Sequence, residues 1–238
     1  MVLPVLPSLD KSTNKKESTH SQTQVKIDDL PSLKFTQKDN TLDNKKKTKY
    51  EDTRLAIQKK ISLSRRGTSE MAEIIDSKIL FMAPEDFFNK YTESIQEITS
   101  WIQNKMSESV EESNIVQSLK KDPTNIKNKD SAFVAINKYF LMYESEPKNE
   151  KFNNAKFDTL DKAIILALIT NEICGLGPLE PLFRDFTLKE LACNGPFDIQ
   201  VEKGGKMRKV PSCKFRDEEH LKSLIDRLYN SVNKQITK

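Results

Sequence analysis

One stretch constrains this chain more than any other. In "FDTLDKAIILALITNEIC" (157–174), Ile164, Ile165, Leu166, Leu168, Ile169 and Ile173 fall on nearly every side of a helix. A helix without a polar face has to be surrounded by protein, so the chain must supply amphipathic partners to cover it. The run ends in "GLGPLEPLFRD" (Gly175–Asp185), which holds two of the six glycines in the molecule. Gly175 reads as a C-terminal cap, and Pro178 as a block to restarting the helix.

The partners are legible on both sides. Upstream, "APEDFFNKYTESIQEITSWIQNK" opens with Pro84, Glu85 and Asp86, residues suited to a first helical turn. Phe87, Tyr91, Ile95, Ile98 and Ile102 then recur at three- and four-residue spacing, with Trp101 at the edge;. "DSAFVAINKYFLMY" repeats the pattern through Phe133, Ile136, Phe140 and Tyr143. "KKDPTNIKNKD" (Lys120–Asp130) between them reads as a loop, and "ESEPKNEKFNN" (Glu144–Asn154) as a joint. Downstream the period changes to two: Phe197, Ile199 and Val201 alternate with Asp198, Gln200 and Glu202;. Asn194-Gly195 and Gly204-Gly205 are turn pairs. Strands are predicted near 188–193, 197–203 and 206–211, the last two joined by a Gly-Gly hairpin. "FRDEEHLKSLIDRLYNSVNKQI" then forms an amphipathic helix capped by Asp217, with Leu221, Leu224, Ile225, Leu228, Val232 and Ile236 as its stripe;.

The fold class that follows is α+β. A basic, disordered tail (1–52) precedes a helical region (53–150) and a helix–three-stranded sheet–helix unit (151–238). Residues 1–66 hold fifteen Lys/Arg against eight Asp/Glu, a balance of +7, which leaves −3 for the rest of a chain of net charge +4. The run "NKKKTK" (Asn44–Lys49) reads first as a solvated basic tail, although it is chemically able to meet an anionic lipid surface or nucleic acid. Nucleic acid is not indicated elsewhere, because the remainder is slightly acidic and lacks interleaved basic and aromatic residues.

Active-site chemistry is sparse. Cys174, Cys193 and Cys213 form no CxxC pair, which suits a reducing cytoplasm. His20 and His220 have no second ligand at metal spacing. Lys206 follows two glycines, yet Gln200 and Met207 stand where a phosphate loop needs glycine and Ser/Thr;. No stretch approaches the roughly 18 apolar residues of a membrane span.

Three segments taken together, Glu172–Asp185, Leu188–Met207 and Phe215–Ile236, resemble the N-terminal domain of CpaF/TadA-type ATPases. These belong to the type II/type IV secretion superfamily that drives Tad pili and VirB-type secretion. The matching positions are Gly175, Gly177, Pro178, Leu179, Pro181 and Leu182 in the first segment. In the second they are Asn194, Gly195, Pro196, Glu202 and Gly205, and in the third His220 and Arg227. The resemblance implies a non-catalytic assembly and docking module, cytoplasmic or peripheral at the inner membrane. It implies a hexamer with a RecA-like motor domain. Contact with an inner-membrane platform protein or anionic lipid is an expectation that rests on the charge of the basic tail alone. ATP with magnesium is expected only where such a motor follows. The family's paired arginines near the end of this domain fall on Lys234 and Gln235, leaving Lys234 as the one candidate phosphate contact there. Three rivals stand beside this reading: a fragment of a complete ATPase, a stand-alone adaptor or regulator of a full-length paralogue, and a basic-tail nucleic-acid binder. In the leading reading, Leu176, Leu179 and Leu182 pin the "GLGP" segment onto the sheet.

Overall fold

In the computed structural model, residues 40–63, 73–122, 125–149 and 157–236 are described, with side chains at 40–43, 126 and 230–236 excepted. The expectation for residues 1–39 lies outside them. Helix α1 (Asn40–Leu63) begins inside the segment predicted to be unfolded. It is held by a narrow stripe: Thr53 and Ile57 are fully buried, and Tyr50 and Ile61 pack partly against the core. The lysine-rich composition hides this stripe, because long basic side chains occupy the remaining faces.

Short helix α2 (Ser77–Met82) is capped by Asp76, whose Oδ1 accepts from the Ile79 backbone N–H at 2.9 Å. Helix α3 (Asn89–Glu108) starts five residues later than predicted from Pro84. The residues before it form a turn, in which the N–H groups of Phe87, Asn89 and Tyr91 donate to the carbonyls of Pro84, Asp86 and Phe88. The turn sets the fully buried Phe87 ring against Tyr50, Phe88 and Tyr91. Helix α4 (Val110–Lys121) was missed in the sequence, although Ser109 caps it by accepting from the Glu112 N–H;. Helix α5 (Ile126–Ser145) is longer at both ends than its apolar stripe, and a 3-10 turn (Pro147–Asn149) occupies part of the expected joint.

The apolar helix is α6 (Thr159–Cys174). Asp158 caps it, and Ile164, Ile165, Ala167 and Ile169 are wholly buried. Helices α3, α4 and α5 pack around it, so one hydrophobic core joins the helical region to the α+β unit. Pro178 does not stop helix formation. The chain continues as a 3-10 turn (Gly177–Leu179) and the one-turn helix α7 (Glu180–Phe183), bent by 112° from α6. Each proline sits at the start of its turn, where no N–H is needed. Leu176, Leu179 and Leu182 are buried as expected, but the segment packs chiefly back on α6 rather than on the sheet.

Strands β1 (Glu190–Cys193), β2 (Ile199–Lys203) and β3 (Lys206–Lys209) form an antiparallel meander. Gly204 and Gly205 have φ of +62° and +74°, the backbone of a two-residue hairpin that favours glycine twice;. Ile199 and Val201 face the core. Phe197 does not join their alternation, because it lies in the turn before β2 and is 60 % exposed. Helix α8 (Glu218–Ile236) follows. Of its predicted stripe, Leu224 is buried, Leu221 and Leu228 are half-buried, and Ile225 is exposed.

Among the described residues no single helix is long and apolar enough to cross a membrane; only α6 taken with the bent Gly177–Phe183 segment passes on length and composition. Most of α6 is buried by the protein itself.

Candidate functional site: a joint built on two glycines

The "GLGP" segment forms a joint between α6 and α8. At its centre, the His220 Nε2 meets the Glu172 Oε1 at 2.6 Å. The Arg216 backbone N–H donates to His220 Nδ1 at 3.3 Å, so Nε2 carries the proton and donates to the carboxylate;. The sequence suggested a lone exposed histidine; its side chain is only 15 % exposed. Asp217 positions it by accepting the His220 backbone N–H at 2.7 Å, and the Phe215 ring packs edge-on against the imidazole.

Both glycines make room for carboxylates. Gly177 has φ +56°, and a Cβ there would lie 2.9 Å from Glu172 Oε2;. Gly175 caps α6 through its N–H to the Asn171 carbonyl at 3.0 Å, yet its φ is −130°. Its need is for space, not left-handed backbone: a Cβ would lie 2.5 Å from Glu180 Oε2. Glu180 Oε2 accepts from the Leu176 backbone N–H at 2.9 Å, and its Oε1 pairs with Lys129 at 3.0 Å. Arg227 reaches back from α8 and donates from Nη1 to the Gly175 carbonyl at 3.2 Å.

Beside this joint runs a cavity of about 510 Å³. One wall is α3, with Thr92, Gln96, Ser100 and Gln103. The other is α8, with Glu219, His220, Ser223 and Arg227, and the floor comes from Leu168, Asn171 and Glu172 of α6. Of the residues singled out in the sequence, Gly177, Pro178, Pro181, His220 and Arg227 line it, and Gly175 lies behind Arg227. Leu179 and Leu182 are core. Asn194, Gly195 and Pro196 form the β1–β2 turn, Glu202 sits in β2, and Gly205 in the hairpin. Lys234 lies on α8, and its side chain is outside the described residues.

Further contacts tie the three segments together. The Phe215 N–H donates to the Pro196 carbonyl at 2.8 Å, and Lys203 pairs with Asp185 at 3.3 Å. Hydrogen bonds from Ser77 and Thr187 hold the Asp185 carboxyl well below the usual carboxylate range. The buried Cys213 thiol donates to the Pro178 carbonyl at 3.2 Å. Burial pushes the Cys174 thiol up to about 12 and raises that of Cys213 further.

A second polar knot ties α1 to the core. Asp161, 3 % exposed, accepts from Arg54, from Lys90 at 2.8 Å and from the Tyr91 hydroxyl at 2.8 Å; Arg54 also pairs with Asp158 at 2.7 Å. Burial alone would raise the Asp161 carboxyl, but these donors outweigh it and hold the group low;. The "NKKKTK" run lies on α1, where Lys45, Lys46 and Lys49 border a hollow shared with Glu85, Asp86 and Lys214.

Gly204-Gly205-Lys206 does not fit a nucleotide's phosphates, because both glycines serve the hairpin and the chain continues as a strand rather than a helix;. Among the described residues no group of three or more His, Cys, Asp or Glu side chains is arranged to hold a metal ion. In comparisons with known proteins, no family model matches the chain, and no curated protein matches it. The functional reading therefore rests on the three segments and the way they interlock.

Proposed function

We propose that this chain acts as the N-terminal assembly and docking domain of a secretion or pilus-assembly ATPase of the CpaF type, contributing contacts rather than catalysis. One observation carries the reading. The three segments that bear the resemblance are bonded to one another in every pairing: the first to the third through Glu172–His220 and Arg227–Gly175, the first to the second through Asp185–Lys203, and the second to the third through Pro196–Phe215. Segments spaced across 65 residues that form one interlocked unit are what a shared domain requires, whereas three chance matches carry no such constraint.

In this role the domain assembles with a RecA-like motor into a hexamer, moves with the motor's nucleotide cycle, and docks at an inner-membrane platform protein from the cytoplasmic side. The test is reconstitution. The chain is mixed with the isolated motor domain of a CpaF-type ATPase, and native mass spectrometry follows ring formation with and without ATP. Mixed hexamers carrying one copy of this chain per motor support the reading. A chain that stays unbound at all motor concentrations, and leaves ATP hydrolysis unchanged, overturns it.

A further inference from the structure

Arg227 stands in an unusual electrostatic position. It is half-buried on the wall of the 510 Å³ cavity, and its one hydrogen bond among the described residues is to the Gly175 carbonyl. Its Nε is buried without a partner, and no carboxylate of a described residue forms an ion pair with it. Burial lowers its proton affinity, with Glu172 and Glu180 offsetting that only from a distance. A guanidinium has five N–H donors, and a charge withdrawn from water is normally paired. Among the other charges in the lining, Glu172 is taken by His220, and Arg216 by Asp217 at 2.5 Å.

The walls specify the rest. Phe88, Ile95, Leu168, Pro178 and Pro181 give the cavity apolar surface, while Gln96, Ser100 and Ser223 supply dispersed hydrogen-bonding groups. The volume falls within the range of small-ligand pockets. The rest of the lining is of mixed charge, with Lys120, Lys214 and Arg216 against Glu172 and Glu219, and among these cations Arg227 is the one with a buried donor left unpaired.

We propose that this cavity is a binding site for a small organic monocarboxylate, an apolar body bearing one carboxylate that pairs with Arg227. The carboxylate supplies the missing counter-charge, using the planar donor fork that lysine lacks. The apolar body lies against Leu168 and the two prolines. This site does not depend on the assembly reading, and its test does not involve a motor domain.

The experiment uses the whole chain, ¹⁵N-labelled, titrated with 2-naphthoate to about 10 mM, a range that captures weak fragment binding. Parallel titrations use 2-naphthamide, of the same shape without charge, and inorganic phosphate. The expected result is saturable shifts at Thr92, Ser100, His220 and Ser223 with naphthoate. Naphthamide should bind at least about tenfold more weakly, the effect of losing one charged pair, and phosphate should give no saturation. Arg227→Gln should abolish naphthoate binding and Arg227→Lys weaken it. Ser223→Trp, on the exposed rim, blocks the cavity without touching the Arg227–Gly175 bond, and serves if Arg227→Gln fails to fold. Absence of saturation, equal binding of naphthamide, tighter binding of phosphate, or unchanged binding in both Arg227→Gln and Ser223→Trp overturns the proposal.

Discussion

Asp161 and Arg227 are charges drawn from water at opposite ends of α6, and the protein treats them differently. Asp161 is surrounded: two cations and a hydroxyl converge on it, from α1 and α3. Arg227 has a single carbonyl and open space. A fully paired buried charge fixes how helices meet, since removing one member strands the others. A half-paired one does little for the fold and is free to interact with something else. The first region is a clasp, the second a receptacle.

The sharpest way to break this contrast is Asp161→Ala. It leaves Lys90 and the Tyr91 hydroxyl without their shared acceptor and Arg54 with Asp158 alone, and should cost about 3 kcal/mol, read from urea unfolding. If the loss is small, the clasp does not secure α1. Next comes Gly177→Ala, which combines a left-handed backbone with a carboxylate 2.9 Å from the new Cβ. About 2 kcal/mol is expected. Gly205→Ala, also at positive φ but with nothing within 4 Å, should cost about 1 kcal/mol;. Equal losses would mean that Glu172 moves aside freely.

Acid titration reads the paired carboxylates directly. Asp161 and Asp185 both have folded-state proton affinities held low, so each adds stability that is complete above the unfolded carboxylate value near about 3.9;. That stability drains as pH falls below it. Asp185→Asn should therefore lose less stability than the wild type between about pH 4 and 2, as followed by circular dichroism. The smallest effect belongs to Arg227→Met, expected within about 1 kcal/mol of wild type because no ion pair is broken. A loss as large as that of Asp161→Ala would erase the contrast.

Much of the fold could be read from short-range pattern. The all-apolar α6, the alternation of Ile199 and Val201, and the Gly-Gly hairpin are local signals, and each produced its element. The joint was half-legible: its glycines and prolines announced a sharp turn, but not which glycine needed left-handed backbone. What escaped depends on partners far along the chain. His220 looked solitary because its carboxylate lies 48 positions away. The first half of α1, up to residue 52, looked like a tail because the helix is anchored further on, by Arg54, which meets Asp161 only after folding. Helix α4 gives little signal because Leu119 is its one buried side chain, so its apolar stripe is short.

The two deeply buried thiols have a practical consequence. Cys174 ends α6 and Cys213 holds the Pro178 carbonyl, so they stand on either side of the bend. In the closed joint neither ionises readily nor meets solvent, whereas Cys193 on β1 is partly exposed. Alkylation of this protein should therefore proceed in two phases: a faster equivalent from Cys193, then two slower ones that wait on opening of the bend;. The molecule thus carries its own stopwatch, and any partner that tightens or loosens the joint will change its pace without a label being introduced.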